Sequence, residues 1–145
     1  MLLSQIRGMK VVSATDAVSL ATVTGIVIDS APAARVAAIC LTKSSSLGPY
    51  LDWDAVQAVG HDAVIAHGAK TPHPGDERMT QLAALSHDLP GRRVLTDRGE
   101  PAGTVKDIAF DPETGLITRI HLTADDIPGD RLIAVGSYAL MIRTG

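Results

Sequence analysis

Four short blocks of sequence occur twice in this chain, in the same order, and this internal repeat limits the possible folds more than any other feature. The blocks of the first copy are residues 8–13, 25–29, 38–42 and 58–65, and their matches in the second copy are 91–96, 103–107, 119–123 and 134–141. The spacing between blocks differs, as it would if loops of different length joined shared elements. The fold must therefore accommodate two similar halves.

The repeated blocks have the composition of β-strands. Ile26, Ile28, Val105 and Ile108 are β-branched residues in runs of strand length. Residues 111–115, Asp-Pro-Glu-Thr-Gly, form a strong turn signal, because Pro presets φ and Gly supplies a positive φ; residues 30–34 occupy the same place in the first copy. About six short strands in each half predict an all-β protein of two tandem small β-barrels or half-barrels.

A short linker separates the two copies. Two prolines and two glycines fall between residues 67 and 75, and such a cluster marks a linker. Asp76 is a suitable N-cap, and helical spacing continues through Leu82 to Ser86, so a short helix ending before Pro90 is expected. The predicted organisation is a first repeat at 1–68, a linker with a short helix at 69–84, and a second repeat at 85–145. The helix would act as a packing strut or, alternatively, dock a partner.

Charge and composition argue against nucleic-acid binding. The net charge is −3, aromatic residues make up 3% of the chain, and Arg92 and Arg93 are the only adjacent basic pair. A nucleic-acid interface needs a basic surface or stacking aromatic rings. The single cysteine, Cys40, lies in an apolar run and is expected to be a buried small hydrophobe. It allows no intrachain disulfide, which suits a reducing compartment.

The N-terminal residues resemble neither a signal peptide nor a membrane anchor. They have no basic start, and the uncharged stretch 17–28 is shorter than a spanning helix. We therefore expect a cytoplasmic protein without membrane insertion. The mean hydropathy of +0.18 is high for a small soluble chain, which suggests that a partner or a second subunit covers some apolar surface. A homodimer is one possibility.

The repeated pattern resembles the PRC-barrel domain family. The shared features are Gly followed by a long residue and two aliphatic residues, then Gly-x-Val/Ile-x-Asp, then an apolar strand ending in Val-Gly-x-x-Ala. Residues 103–115 carry the best local match, whereas the first copy departs between Ala14 and Thr24, where its first loop is expected to be longer, and it lacks the acidic turn. The resemblance covers nearly the whole chain in two copies and implies a barrel that docks proteins.

The most unusual local feature is the sequence around the only tryptophan, Trp53. Asp52 and Asp54 flank it, and Tyr50 lies in the turn before it. If the segment is a strand, Trp53 packs inward while the two carboxylates face solvent. Alternatively, Tyr50, Asp52, Trp53 and Asp54 dock a partner, since aromatic residues anchor interfaces, or the carboxylates bind a cation. We take the four residues as the candidate partner-docking site.

No pattern of residues in the sequence predicts catalysis or a bound cofactor. No nucleophile motif, phosphate-binding loop or zinc-helix motif is present. His61, His67 and His73 recur every six residues, which is not the spacing of a zinc site, and His87 and His121 are isolated. The sequence thus predicts a non-catalytic protein-binding or scaffold module without a metal or cofactor. The alternative is a small-ligand or metal-binding protein that uses the cleft between the domains, with Asp52, Asp54 and the linker histidines as polar groups.

Overall fold

The computed structural model describes residues 1–42, 48–67 and 72–144. Residues 69–71 of the predicted linker lie outside the described residues. The described chain is mostly β-structure, with two α-helices, α1 at Leu3–Ile6 and α2 at Glu77–Leu85. The fold class expected from the sequence is confirmed, although the short helix α1 was not expected. No helix within the described ranges has the length and apolar character needed to cross a membrane.

Each half of the chain forms one six-stranded sheet. The strands of the first half are β1 Lys10–Ser13, β2 Ser19–Asp29, β3 Arg35–Leu41, β4 Tyr50–Asp52, β5 Val56–Val59 and β6 Ala63–Ala66. Those of the second half are β7 Arg93–Thr96, β8 Pro101–Phe110, β9 Ile117–Leu122, β10 Asp126–Pro128, β11 Leu132–Val135 and β12 Leu140–Ile142. The strand orders, β4-β3-β2-β1-β6-β5 and β10-β9-β8-β7-β12-β11, are equivalent. In the described chain the end strands of neither sheet pair with each other, so both barrels remain open.

The strand registers identify equivalent residues in the two halves. The pair Val11–Val64 corresponds to Val94–Leu140, and Val59–Val64 corresponds to Val135–Leu140, so the first and last sequence blocks were matched correctly. The pair Ile26–Ile39 likewise corresponds to Ile108–Ile120, which supports the third block.

The second block was matched four residues out of register. Lys10 pairs with Thr22, and Arg93 pairs with Thr104, so the equivalent of Gly103 is Ala21 and not Gly25. The sequence match failed because Gly25 in β2 and Gly103 in β8 are each followed by β-branched residues, so the two glycines look equivalent in sequence. The expected lengthening of the first loop up to Thr24 was also wrong, since β2 already begins at Ser19.

The two halves exchange their N-terminal segments. Helix α1 packs against β8 of the second half and also contacts β2 of its own half, and α2 packs against β2 of the first. The backbone N–H of Phe110 donates to the carbonyl of Met1 at 2.9 Å, and the N–H of Ile28, its equivalent on β2, donates to Ser86 Oγ at 3.0 Å. The long strands β2 and β8 are therefore each hydrogen-bonded to the segment that precedes the first strand of the other half.

A reciprocal pair of hydrogen bonds joins the halves where β3 and β9 begin. The N–H of Val36 donates to the carbonyl of Gly115 at 2.7 Å, and the N–H of Ile117 donates to the carbonyl of Ala34 at 3.0 Å. The buried apolar side chains of both halves form one continuous cluster. The two copies are consequently one packed unit and not two independent barrels.

Helix α2 forms where the sequence predicted a helix. Asp76 caps it, accepting a hydrogen bond from the N–H of Met79 at 2.8 Å. Arg78 on its first turn donates to Asp29 Oδ2 at 2.8 Å, which ties the helix to the end of β2. The helix therefore contacts the first sheet, although none of its residues is buried, and its role as a packing strut or a docking helix stays a prediction. It ends at Leu85, one residue beyond the linker boundary expected from sequence, and the division into three segments itself stays a prediction.

Candidate functional site

The predicted docking residues lie at the corner where β4 ends. β4 stops at Asp52, and Trp53–Ala55 form a 3-10 turn. The chain therefore leaves the strand at Trp53 and the alternation of strand faces does not apply there, although Trp53 packs inward and Asp54 faces solvent as expected. Tyr50 and Asp52 are half-buried, Asp54 is exposed, and Trp53 is 9% exposed.

Trp53 packs against the second half of the chain. Its ring meets that of Phe110 edge to face, with centroids 5.6 Å apart. Gly115 lies directly beside the indole, because a Cβ atom at position 115 would come within 2.7 Å of Trp53 Nε1. Most of the tryptophan surface is thus used inside the molecule. The docking role of Tyr50, Asp52, Trp53 and Asp54 stays a prediction, with little of Trp53 left for a partner.

Asp52 is bound to the linker through His73. The His73 Nε2 and Asp52 Oδ1 atoms are 2.7 Å apart, across 21 positions of sequence. Because His73 Nδ1 accepts a hydrogen bond from the N–H of Gly75 at 3.0 Å, the neutral ring carries its hydrogen on Nε2 and donates it to Asp52. The backbones of His73 and Tyr50 also exchange hydrogen bonds of 2.8 and 3.2 Å. The linker therefore pairs with the outer edge of β4, a contact that the sequence did not indicate.

A cavity of about 340 Å³ opens between this corner and α2, lined by residues that include four aspartates and two arginines. Asp29 is its most buried carboxylate, at 6% exposed. Desolvation by burial acts to raise the pKa of Asp29, but hydrogen bonds from Arg78 and the N–H of Ala31, with the charges of Arg78 and Arg35, outweigh it and lower the pKa. Asp52 and Asp54 line the same cavity, but within the described ranges no group of three or more potential ligand side chains could hold a metal ion.

Cys40 lies in a separate hollow of about 230 Å³, where the segment after α2 meets α1 and the first sheet. The apolar sequence around Cys40 predicted a buried side chain, and in the structure the side chain is half-buried. Burial raises the pKa of the Cys40 thiol to about 11, so the thiol is neutral near pH 7.

An exposed aromatic residue that sequence reasoning missed lies in the turn between β11 and β12. Tyr138 is 69% exposed and belongs to a shallow hollow of about 270 Å³ beside Leu95, Ala134 and Met141. We call these four residues the hairpin face, after the β11–β12 hairpin. Met141 is also exposed, at 40%.

The Tyr138 ring contacts Arg93 although it faces solvent. The Arg93 guanidinium carbon stacks 4.6 Å from the ring centroid, and Arg93 also donates a hydrogen bond to the tyrosine hydroxyl. The equivalent of Tyr138 in the first half is Asp62, as the shared register of β5–β6 and β11–β12 shows. Comparing the two copies position by position would have singled out Tyr138, because only one copy has an aromatic residue there.

A longer groove, the seam groove, runs between the halves. It has a volume of about 580 Å³ and is lined by residues 30–34 of the first half and Leu116, Ile117, Asp130, Leu132, Ile133 and Arg143 of the second. Leu116 and Ile133 are 43% and 39% exposed. Most of its lining is apolar, and the two charged residues, Asp130 and Arg143, come from the ends of β11 and β12.

Comparison with known proteins finds one family model that matches part of the chain. Residues 83–144 match the model of the PRC-barrel domain. The match begins in the last turn of α2 and spans all six strands of the second sheet. The family model does not match the first half, whose similarity to the second rests on the equivalent strand order. No curated protein matches the chain.

Proposed function

We propose that this chain, whose second half matches the PRC-barrel domain, is a non-catalytic module that binds a partner protein. PRC-barrel domains are in general non-catalytic modules. We propose further that the first half is a diverged second copy of the same domain, supported by its equivalent strand order. It completes the fold by exchanging its N-terminal segment with the second half.

The observation that carries the proposal is an exposed aromatic ring in contact with an arginine. Tyr138 is 69% exposed, and Arg93 stacks on its ring. Tyr and Arg are enriched among the residues that dominate binding energies at interfaces. A contact that restricts the ring before binding lowers the conformational entropy lost when a partner covers it. Met141 and Leu95 extend the contact surface with apolar area.

The charge beside Tyr138 indicates what the partner surface carries. Arg93 forms no ion pair within the part of the chain that the structure describes, although its guanidinium is exposed. A partner that covers Tyr138 therefore needs an apolar recess with a carboxylate at its rim, so that the guanidinium keeps a polar partner when water is removed. A different protein with such a recess fits better than a second copy of the hairpin face, which would place two Arg93 side chains close together.

Site-specific photo-cross-linking tests this surface. A benzoylphenylalanine residue replaces Met141 in the full chain, in cells that naturally produce it. A control protein carries the same residue in place of Ile65, the equivalent position in the first half. We expect a discrete adduct from position 141, no adduct from position 65, and loss of the first adduct when Tyr138→Ala is added.

The pattern of adducts decides between the outcomes. Equal cross-linking from positions 65 and 141, or adducts that persist with Tyr138→Ala, would contradict docking through the hairpin face. An adduct with twice the mass of the chain would identify a second copy as the occupant and contradict the preference for a different protein.

A second candidate function is binding of a small ligand or cation beside α2. The polar cavity lined by Asp29, Asp52, Asp54, Arg35 and Arg78 supports it. A ligand that binds the folded chain raises its melting temperature, so melts with Ca²⁺, Zn²⁺ or chelator test the cation version. A rise that Asp54→Asn diminishes would support the cation version, although the described residues contain no group of three ligand side chains; unchanged melts would remove it.

A further inference from the structure

The outer edge of β11 is an unpaired strand edge beside an apolar groove. In the described chain β11 pairs only with β12. By contrast, the outer edge of β4 already pairs with the backbone of His73. β10 is the equivalent of β4, but it contains Pro128, which lacks a backbone donor. The free groups of β11 can accept an additional extended strand.

The matching region of the first half lacks this apolar lining. There Gln57 replaces Ile133, Arg35 replaces Leu116, and the loop 111–115 contains Asp and Glu where residues 30–34 are Ser-Ala-Pro-Ala-Ala. The two halves share one topology, so this contrast does not follow from the fold itself. It sets the seam groove apart as the site suited to an apolar segment.

Arg143 lines one end of the seam groove, and Arg131 lies in the hollow that adjoins this end. The Arg143 side chain donates to the carbonyl of Asp130 at 2.5 Å, and Arg131 Nε donates to the carbonyl of Arg143 at 2.9 Å. Within the described ranges neither guanidinium forms an ion pair with a carboxylate. Among the described residues, the adjoining hollow has two arginines and one carboxylate, Asp130. An acidic group on the bound segment would therefore be complementary.

We infer that the seam groove binds an extended segment of the partner protein. The segment pairs with the edge of β11, places alternate apolar side chains against Leu116 and Ile133, and carries an acidic residue at the Arg143 end. This inference rests on the proposed function, because it assigns a second contact with the partner that covers the hairpin face. The two contacts differ in what they recognise, because the seam groove binds an extended peptide and the hairpin face binds a folded surface.

Random peptides provide a probe that requires no knowledge of the partner. A phage-displayed library of dodecapeptides is selected on the full chain, and enriched sequences are synthesised with a fluorescent label for anisotropy titrations. We expect enrichment of alternating apolar and β-branched residues with Asp or Glu near one end. Failure to enrich such peptides would overturn the inference.

Matched substitutions locate the binding of the selected peptides. Ile133→Lys places a charge in the groove at a position 39% exposed, where folding tolerates it, and Gln57→Lys is the control at the equivalent position. We expect Ile133→Lys to weaken binding at least tenfold and Gln57→Lys less than twofold. Arg143→Gln should weaken an acidic peptide about fivefold and leave its Glu→Gln counterpart unchanged. Equal affinity of the wild-type and Ile133→Lys proteins would refute the groove as the site.

The same proteins separate this inference from the proposed function. Tyr138→Ala lies outside the groove and should leave peptide binding unchanged. If cross-links form at position 141 but no peptide binds the groove, the groove inference fails and the docking module remains. If selected peptides bind the groove but position 141 yields no specific adduct, the hairpin-face proposal fails instead.

Discussion

Replacing Trp53 with alanine should destabilise the whole molecule because the indole fills the contact between the halves. Trp53 is 9% exposed and packs edge to face on Phe110. Trp→Ala substitutions in cores cost about 3–5 kcal/mol, with larger losses where neighbours cannot fill the space. Gly115 lies under the ring and has no side chain to move into the gap. We therefore expect a loss in the upper part of that range, and a melting temperature lower by roughly 10 °C or more.

Guanidinium unfolding followed by far-UV circular dichroism measures this loss. Fluorescence cannot compare the two proteins, because Trp53 is the only tryptophan. Tyr138→Ala is the matched aromatic control, and at 69% exposed it should change the free energy of unfolding by less than about 1 kcal/mol. A loss below about 1 kcal/mol for Trp53→Ala would refute the packing role and return Trp53 to the candidate docking surface.

The remaining predictions concern backbone conformation, pH and the dependence of the halves on each other. Gly115→Ala should lower the melting temperature more than Gly99→Ala. Both positions have φ near +79°, but only at position 115 would the new Cβ meet the indole. Equal losses of stability would argue against that contact. Asp29 has a pKa below its unfolded value of 3.8, so its stabilisation is present above that pH and is lost as pH falls through the folded pKa. Asp29→Asn should therefore unfold with a shallower acid dependence, and an unchanged pH profile would contradict this. Separate fragments 1–67 and 72–144 should each be largely unfolded by circular dichroism and gain structure on mixing; two independently folded fragments would refute the exchange of segments.

The repeat made the architecture predictable from sequence. Equivalent positions such as Ile39 and Ile120 are both buried, and the aliphatic residues that precede each glycine, Ile6 and Leu89, are buried as well. The exchange of segments could not be predicted in the same way. A short helix packs equally well on its own sheet or on the neighbouring one as far as hydrophobic pattern is concerned, and only three-dimensional geometry decides between them.

The candidate site was less predictable than the fold. The strand expected through Trp53 is interrupted by a 3-10 turn, and the binding of Asp52 to His73 joins positions too distant for a local pattern to reveal. Tyr138 was overlooked because a lone tyrosine in a turn has no distinctive sequence context. Its significance comes from its exposure and from Arg93, which reaches it from another strand.

Native-state hydrogen exchange of the full chain tests most directly whether the two halves form one unit. The amides of Ile39 and Ile120 occupy equivalent buried positions in the two sheets. If one core stabilises both, the two amides exchange with the same free energy and the same dependence on denaturant, equal to those of global unfolding. Two different free energies, one for each sheet, would show that the halves unfold separately and would contradict the shared core.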